Sequence, residues 1–445
     1  MKIIIVGSGD TGTHLAKMLS YENQDVTLMS PDKAYLSGLD SSYNIMVSVG
    51  DPVSCRDLKA IGVSGADLFV AVTPSGEANM ISCELAKHLG AKGCIARAGT
   101  HEYEDAGIDE LFRNAGIDML VYPETLVAQD ICAFIKRNWV TSWFELNTAE
   151  LILAGVRIPE DAPISGFALR DKPSDGMDYH VSAIRRGRKM IIPGGHDRVE
   201  PGDMAYFAFY PGDGNSIAAM SGHNSRKVRN IMIAGIGPIT GMLVSVLHHE
   251  YRITVVSPDI EKCRELAAEY SDIVVVNTEI KDISTLREES IDIMDMFIAL
   301  DSNAETNIVA CMVAKEFGVP LTVAQIEDIE YMPQAERMSI DKIVNKKLIT
   351  SGMISRYIMG HNMRVESLLA LEDVEMAEIE VKERARITRA SVKDLGLPKE
   401  LTIAGLIRDG RGMLVDGRTV MQPGDKVLVI FMPGAMHKVE KWFRN

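Results

Sequence analysis

Short apolar runs that stop at a glycine or a polar turn dominate the first part of this chain. Residues 3–6 (IIIV) are too short a run for a helix and end at Gly7, which predicts a buried strand over residues 2–6. Leu15, Ala16, Met18 and Leu19 then share one helical stripe, and a second strand is predicted over 25–29. Further strands are read at 45–49, 68–72 and 93–97, with helices over 77–89 and near 102–114. Strand and helix alternating through short loops predict a parallel sheet covered on both faces. Next, residues 124–136 place Leu126, Val127, Ile131, Phe134 and Ile135 at helical spacing. Such a helix either faces its own core or crosses over to pack on a second module or a second copy. The pattern then changes. Residues 144–210 are rich in strand and turn signals, with alternation over 179–185, a turn at Pro193-Gly194-Gly195, and Pro201-Gly202-Asp203 before a strand at 204–209.

The whole pattern then recurs. Asn230-Ile-Met-Ile-Ala-Gly-Ile-Gly-Pro-Ile-Thr-Gly241 repeats the first strand and glycine loop at an offset of 228 residues, Gly7 to Gly235. Asp67-Leu-Phe-Val-Ala-Val-Thr73 is answered by Asp295-Met-Phe-Ile-Ala-Leu-Asp301, and Glu77-Ala-Asn79 by Glu305-Thr-Asn307. A second helical segment at 347–359 carries Leu348, Ile349, Met353, Ile354, Tyr357 and Ile358. Residues 378–431 repeat the β-rich plan, with a strand at 401–408, a turn at Asp416-Gly417, and Pro423-Gly424-Asp425 before a strand at 426–431. A tandem duplication is therefore predicted: an α/β module at 1–122, a crossover helix at 123–143 and a small α+β module at 144–221, then the same order at 228–345, 346–365 and 366–445. The polar stretch 221–227 reads as the joint.

Composition adds mainly exclusions. At 445 residues the chain exceeds one ordinary domain of roughly 100–200 residues, so several cores are expected. It is 46% apolar and 24% charged, as folded globular proteins are. No run of about 18 apolar residues occurs, and the apolar start is too short for a secretory signal, so a cytoplasmic location is expected. A net charge of −15 argues against nucleic acid or anionic lipid as direct partners, which leaves a protein partner for any membrane connection. Cys55, Cys83, Cys94, Cys132, Cys263 and Cys311 show neither metal-ligand spacing nor a disulfide framework.

The chemistry centres on the glycine loops. In Gly7-Ser-Gly9-Asp-Thr-Gly12 the first glycine suits a tight turn, the second gives room for a pyrophosphate, and the third allows close packing of helix on strand. The helix that follows offers free N–H groups to an anion. This is the Rossmann-type arrangement for a dinucleotide or an adenine nucleotide. The carboxylate expected at the end of the second strand is replaced by Ser30, with Asp32 two residues on. In the second loop Thr240 takes the third glycine position, Pro238 removes one N–H, and Ser257 repeats the serine substitution, so this loop reads either as a degenerate structural copy or as a second ligand site. Thr73 and Arg97 follow strands at the edge where ligands of parallel sheets bind, and their counterparts are Asp301 and Gln325. Arg97 is read either as a phosphate ligand or as one half of a surface ion pair. Glu77 and Asn79, at the start of a helix, read either as pocket residues or as capping and dipole compensation, and His248-His249 reads as a solvated helix end. No nucleophile elbow, zincin motif or Walker loop is present.

The module order, Gly7-Ser-Gly-Asp-Thr-Gly12, the run from Asp67 to Asn79, the crossover helix and the Pro-Gly-Asp turn together resemble the RCK (KTN) regulatory subunits of bacterial Trk potassium-uptake systems. The likeness covers nearly the whole chain. It implies a non-enzymatic, peripheral cytoplasmic subunit at the inner face of the plasma membrane, forming a homo-oligomeric ring beneath a membrane-embedded potassium channel subunit. It implies NAD or NADH as ligand, with ATP or ADP as alternatives, acting by stabilising one of two ring states. Carried over by position, the contacts fall on Gly7, Ser8, Gly9, Asp10, Thr11, Ser30, Thr73, Pro74 and Arg97, and on Gly235, Ile236, Gly237, Pro238, Ile239 and Ser257. Gly12 and Asp32 join them from the loop and strand-end readings. Both serines depart from the acidic pattern of the family. The competing reading, an NAD(P)-dependent oxidoreductase, needs a proton donor beside the nicotinamide and a domain to enclose substrate. The short β-rich modules show no paired catalytic set.

Overall fold

Six parallel strands build the first module: β1 (Lys2–Val6), β2 (Asp25–Ser30), β3 (Ile45–Val49), β4 (Leu68–Ala71), β5 (Gly93–Arg97) and β6 (Met119–Val121). Their order in the sheet is β3-β2-β1-β4-β5-β6. Ile3, Ile4, Ile5 and Val6 are fully buried, as a central parallel strand between two helical layers requires. Val6 lies level with Met29 on one side and Ala71 on the other. The loops after β1, β2 and β4 therefore open on one edge, at the point where strand order reverses. The computed structural model describes residues 1–445 apart from 8, 22–23, 38–42, 100, 105–107, 146–149, 172–177, 188, 224–226, 281–282, 329–330, 339, 363–364, 372–373, 433–434 and 444–445.

A five-stranded antiparallel sheet follows, from β7 (Ser142–Glu145), β8 (Ile152–Arg157), β9 (Tyr179–Arg186), β10 (Lys189–Ile191) and β11 (Met204–Phe209), in the order β10-β9-β11-β8-β7. The second parallel sheet comprises β12 (Asn230–Ala234), β13 (Arg252–Ser257), β14 (Val274–Asn277), β15 (Met296–Ala299), β16 (Leu321–Gln325) and β17 (Lys342–Val344), ordered β14-β13-β12-β15-β16-β17. The last sheet, β18 (Val365–Leu371), β19 (Val374–Glu380), β20 (Leu401–Arg408), β21 (Arg411–Leu414) and β22 (Lys426–Phe431), runs β18-β19-β22-β20-β21. The sheets thus match in pairs. The fold class is tandem α/β modules, each followed by a small module with an antiparallel sheet.

The Pro-Gly-Asp turns owe their recurrence to the aspartate. Asp203 is buried and accepts from Arg186 Nε and Nη2, both at 2.9 Å, and from the Glu200 amide at 2.8 Å. Asp425 does the same for Arg408 Nε at 2.8 Å and Nη2 at 2.7 Å, and for the Gln422 amide at 2.7 Å. The glycine before each takes φ of 86° and 90°, which a side chain would resist.

Two features differ from expectation. The single helix near 102–114 is a short 3₁₀ turn, His101–Glu104, and a helix, Ile108–Asn114, with 105–107 outside the described residues. Strand β6 and the helices Lys33–Ser37 and Cys55–Ala60 went unread because they are too short to show a period.

The helix Pro123–Lys136 crosses over. Its Val127, Ile131, Phe134 and Ile135 are buried with Ile231, Ile239, Leu243 and Leu247 of the second parallel module. In return the helix Lys346–Asn362 reaches the first module: Lys346 pairs with Glu124 at 3.1 Å and Ser351 Oγ donates to the Thr11 carbonyl at 3.4 Å. Residues 1–136 and 227–354 accordingly form one compact unit, and residues 137–226 and 355–445 another. In the second unit the two antiparallel sheets share a core in which Leu151, Leu153 and Met204 meet Met376, Ile407 and Ile430. Among the described residues no helix is long and apolar enough to cross a membrane.

Candidate nucleotide sites at the glycine loops

Each glycine of the first loop has a distinct steric reason. Gly7 has φ of 114°, and a Cβ there would lie 2.8 Å from the Val72 carbonyl carbon, so the loop passes tightly over the end of β4. At Gly12 a Cβ would lie 1.9 Å from the Gly7 oxygen. At Gly9, by contrast, a side chain would meet nothing within 4 Å. That open side is where a pyrophosphate would approach the first amides of the helix Asp10–Tyr21. Ser8 lies outside the described residues.

Thr73 and Arg97 are brought to this edge by Asn79, which the sequence left open between a pocket residue and a helix cap. Asn79 is fully buried and ties two strand ends together. Its Oδ1 accepts from the Thr73 amide at 2.9 Å and from the Thr73 hydroxyl at 2.6 Å, while its Nδ2 donates to the carbonyls of Thr73 and Arg97, both at 3.0 Å. Capping falls to Ser75, which accepts from the Ala78 amide at 3.1 Å. Glu77 assists: its own backbone amide and the Ser75 hydroxyl hold its carboxyl below the ordinary carboxylate range. Pro74 is exposed between them. Arg97 is half-buried with Nη2 3.9 Å from Glu124, an ion pair at long range.

The serines at the second-strand ends turn inward. Ser30 Oγ accepts from the Asp32 amide at 3.1 Å, and Ser257 Oγ from the Asp259 amide at 3.2 Å. Each shapes the turn by a short side-chain contact. Asp32 is exposed, whereas Asp259 caps the helix Ile260–Glu269 by accepting from the Glu261 and Lys262 amides, both at 3.2 Å. The Lys262 amide is the largest cause of its depressed carboxyl pKa.

The second loop keeps the framework and alters the lining. Gly235 has φ of 102°, with the Leu300 carbonyl carbon 2.9 Å from a Cβ position. Thr240 is buried where Gly12 stands in the first module, and its hydroxyl donates to the Gly235 carbonyl at 2.7 Å. Gly237 is extended and open on its outer side, and Pro238 begins the helix Pro238–Leu247. Ile236 is half-buried and Ile239 is in the core. Asn307 repeats the Asn79 strut between Asp301 and Gln325, at 2.7 to 2.9 Å.

Sequence models agree with this geometry. The TrkA-N domain model matches residues 3–123 and 231–346, more than half of the chain, and the TrkA-C domain model matches 376–444. The chain belongs to the TrkA-N domain family. A relative from Archaeoglobus fulgidus, named as a Trk system potassium uptake protein TrkA homolog, is 26% identical with both chains covered in full. The Trk system potassium uptake protein TrkA of Halomonas elongata is 28% identical, over 96% of this chain and 95% of its own. The GsuK RCK domain superposes with a TM-score of 0.62 at 15% identity, over 99% of this chain and 94% of that one. The GsuK channel bound to NAD gives a TM-score of 0.62 at 14% identity, over 99% and 78%. The fold of this TrkA-N family chain is therefore that of an RCK domain.

What the sequence missed at these sites lies far away in the chain. Lys347 forms an ion pair with Asp10, and Lys346 lies between Glu124 at 3.1 Å and Glu327 at 4.0 Å. Two open clefts, lined by Phe112, Ile117 and Met353 and by Arg186, His196 and Glu200, touch neither glycine loop. His248 is not solvated: it pairs with Asp272 at 2.8 Å and stacks against Tyr270, while only His249 is exposed.

Proposed function

We propose that this TrkA-N family chain is the peripheral cytoplasmic regulatory subunit of a Trk-type potassium-uptake system, binding NAD or NADH at the first glycine loop, with ADP or ATP as alternatives. The observation that carries it is the first loop: Gly7 and Gly12 are sterically required, Gly9 opens outward, and the whole sits in a chain that matches TrkA relatives from end to end. Contacts are assigned to Gly7, Ser8, Gly9, Asp10, Thr11, Gly12, Ser30, Asp32, Thr73, Pro74 and Arg97 at the first site. The weaker second site uses Gly235, Ile236, Gly237, Pro238, Ile239 and Ser257. Partners are a membrane-embedded channel subunit and further copies in a ring. Ligand acts by binding one ring state more tightly than the other.

The test is a thermal-shift series with NAD, NADH, ATP, ADP and AMP on wild type, Gly9→Asp and Gly237→Asp. A Cβ at either position meets nothing within 4 Å, so each variant places its carboxylate on the open side of its loop. A ligand at 100 times its Kd stabilises by about 2.7 kcal/mol, a shift of about 5 °C for a unit of this size. The shift is expected to vanish in Gly9→Asp and persist in Gly237→Asp. Wild type that responds to no nucleotide refutes the reading.

A further inference from the structure

The lysine above the first loop comes from the other half of the chain. Lys347 is the second residue of the helix Lys346–Asn362, and its ammonium pairs with the Asp10 carboxylate at the start of the helix that follows Gly9. One turn later Ser351 Oγ donates to the Thr11 carbonyl at 3.4 Å, which fixes this stretch of helix over the loop. Lys347 is four-fifths buried on the site, whereas Asp10 is more than half exposed. A carboxylate at that point takes the electrostatic place that a ligand phosphate would take. The neighbouring charges are separately engaged, since Glu124 lies 3.1 Å from Lys346 and 3.9 Å from Arg97.

We infer that Lys347 is a phosphate-binding residue of the first site, held in reserve by Asp10 and transferred to the diphosphate of an adenine nucleotide or dinucleotide when it binds. The inference rests on the nucleotide reading of that loop and adds a residue 340 positions from Gly7 to it. A diphosphate carries more charge than a single carboxylate, so the ammonium favours it, and Asp10, being exposed, turns to water. Only the Asp10 carboxylate leaves; its backbone amide, at the start of the helix, stays as the ligand contact. The first site is thereby completed by the second half of the chain, and its occupancy pulls directly on the second crossover helix. The arrangement is not reciprocal. β6 ends at Val121 and β17 at Val344, so the residue equivalent to Lys347 in the first crossover helix is Glu124, an acid.

The experiment is calorimetric titration of ADP, NAD and adenosine into wild type, Lys347→Ala, Lys347→Arg and Asp10→Asn, with the melting midpoint of each recorded. Lys347→Ala is expected to weaken ADP and NAD about tenfold while leaving adenosine unchanged, because the lost contact is to phosphate. Lys347→Arg is expected to retain most of the affinity, and Asp10→Asn to bind ADP a few-fold more tightly by releasing the lysine. Unaltered ADP binding by Lys347→Ala, or equal losses for ADP and adenosine, overturns the role of Lys347 while leaving the site intact. Wild type that binds neither ADP nor NAD overturns the site reading, and this inference with it.

Discussion

Replacing Asn79 tests whether this buried side chain holds the candidate site together. It is fully buried and makes four hydrogen bonds, two accepted and two donated. Truncation to alanine leaves the Thr73 amide and the carbonyls of Thr73 and Arg97 without these partners. Each such loss costs about 1 kcal/mol or more, so Asn79→Ala should destabilise by about 3 kcal/mol. Asn79→Asp is the sharper variant. It keeps the shape and the accepting oxygen, but turns the donating nitrogen into an oxygen 3.0 Å from two carbonyl oxygens. Burial and this repulsion raise the pKa of the introduced carboxyl above its unfolded value of about 4. Ionisation then opposes folding at every pH above that, so the variant should be worst at pH 8 and recover as pH falls towards 5. Urea denaturation by far-UV circular dichroism gives the ranking, wild type above alanine above aspartate at pH 8. All three tryptophans, Trp139, Trp143 and Trp442, lie in the other unit, so hydrogen exchange over residues 68–97 is needed to localise the loss. Aspartate as stable as asparagine, or a loss of less than about 1 kcal/mol for alanine, would refute the argument.

Three further outcomes follow from the loops and the sheet edge. Thr240→Ala removes a buried hydroxyl bonded to Gly235 and should cost about 1–2 kcal/mol in urea denaturation. The reciprocal Gly12→Thr should cost more, since its Cβ would stand 1.9 Å from the Gly7 oxygen and backbone must move; a midpoint matching wild type would show that the first loop is laxer than drawn. Asp67 is held below the ordinary carboxylate range by Lys92 and by the Lys2 amide. A depressed carboxyl adds stability above its unfolded pKa of about 4 and loses it as pH falls through the folded value. The acid-unfolding profile of Asp67→Asn should therefore be flatter than wild type below about pH 4, and an unchanged profile would assign that slope to other groups.

The parts legible in the sequence are those whose physics is local. A buried parallel strand is a continuous apolar run, so β1, β2, β4 and β5 could be read nearly to the residue, whereas β3 is an edge strand whose apolar run is largely exposed. The glycine loops were legible because close approach and positive φ leave no substitute at Gly7. Partner choice was not. The stripe Val127, Ile131 and Ile135 announces a buried helix face but carries no mark of which module buries it. The strut made by Asn79 looked like a helix cap because both uses place a polar residue in a first turn. The pairing of Asp10 with Lys347 depends on the helix exchange, which no local pattern encodes.

Comparison of the two halves separates structural from site residues without any second protein. Residues that answer buried or part-buried polar groups recur: Asn79 and Asn307 between strand ends, Asp67 and Asp295 on the first amides of β1 and β12, Asp203 and Asp425 under their arginines. Removing any of them strands a buried or part-buried donor or acceptor, a penalty the same in either copy. At the loops and strand ends Gly7, Gly9 and Ser30 recur as Gly235, Gly237 and Ser257, but Gly12 becomes Thr240, Thr73 becomes Asp301, Arg97 becomes Gln325, and Lys347 stands where the first crossover helix has Glu124. Charge changes with them: the second edge loses the Arg97 guanidinium and gains the Asp301 carboxylate, while the Asp10 carboxylate gives way to Pro238. On the proposed reading the two sites are therefore unequal, and the first takes its lysine from the second half of the chain, where Asp10 pairs with Lys347.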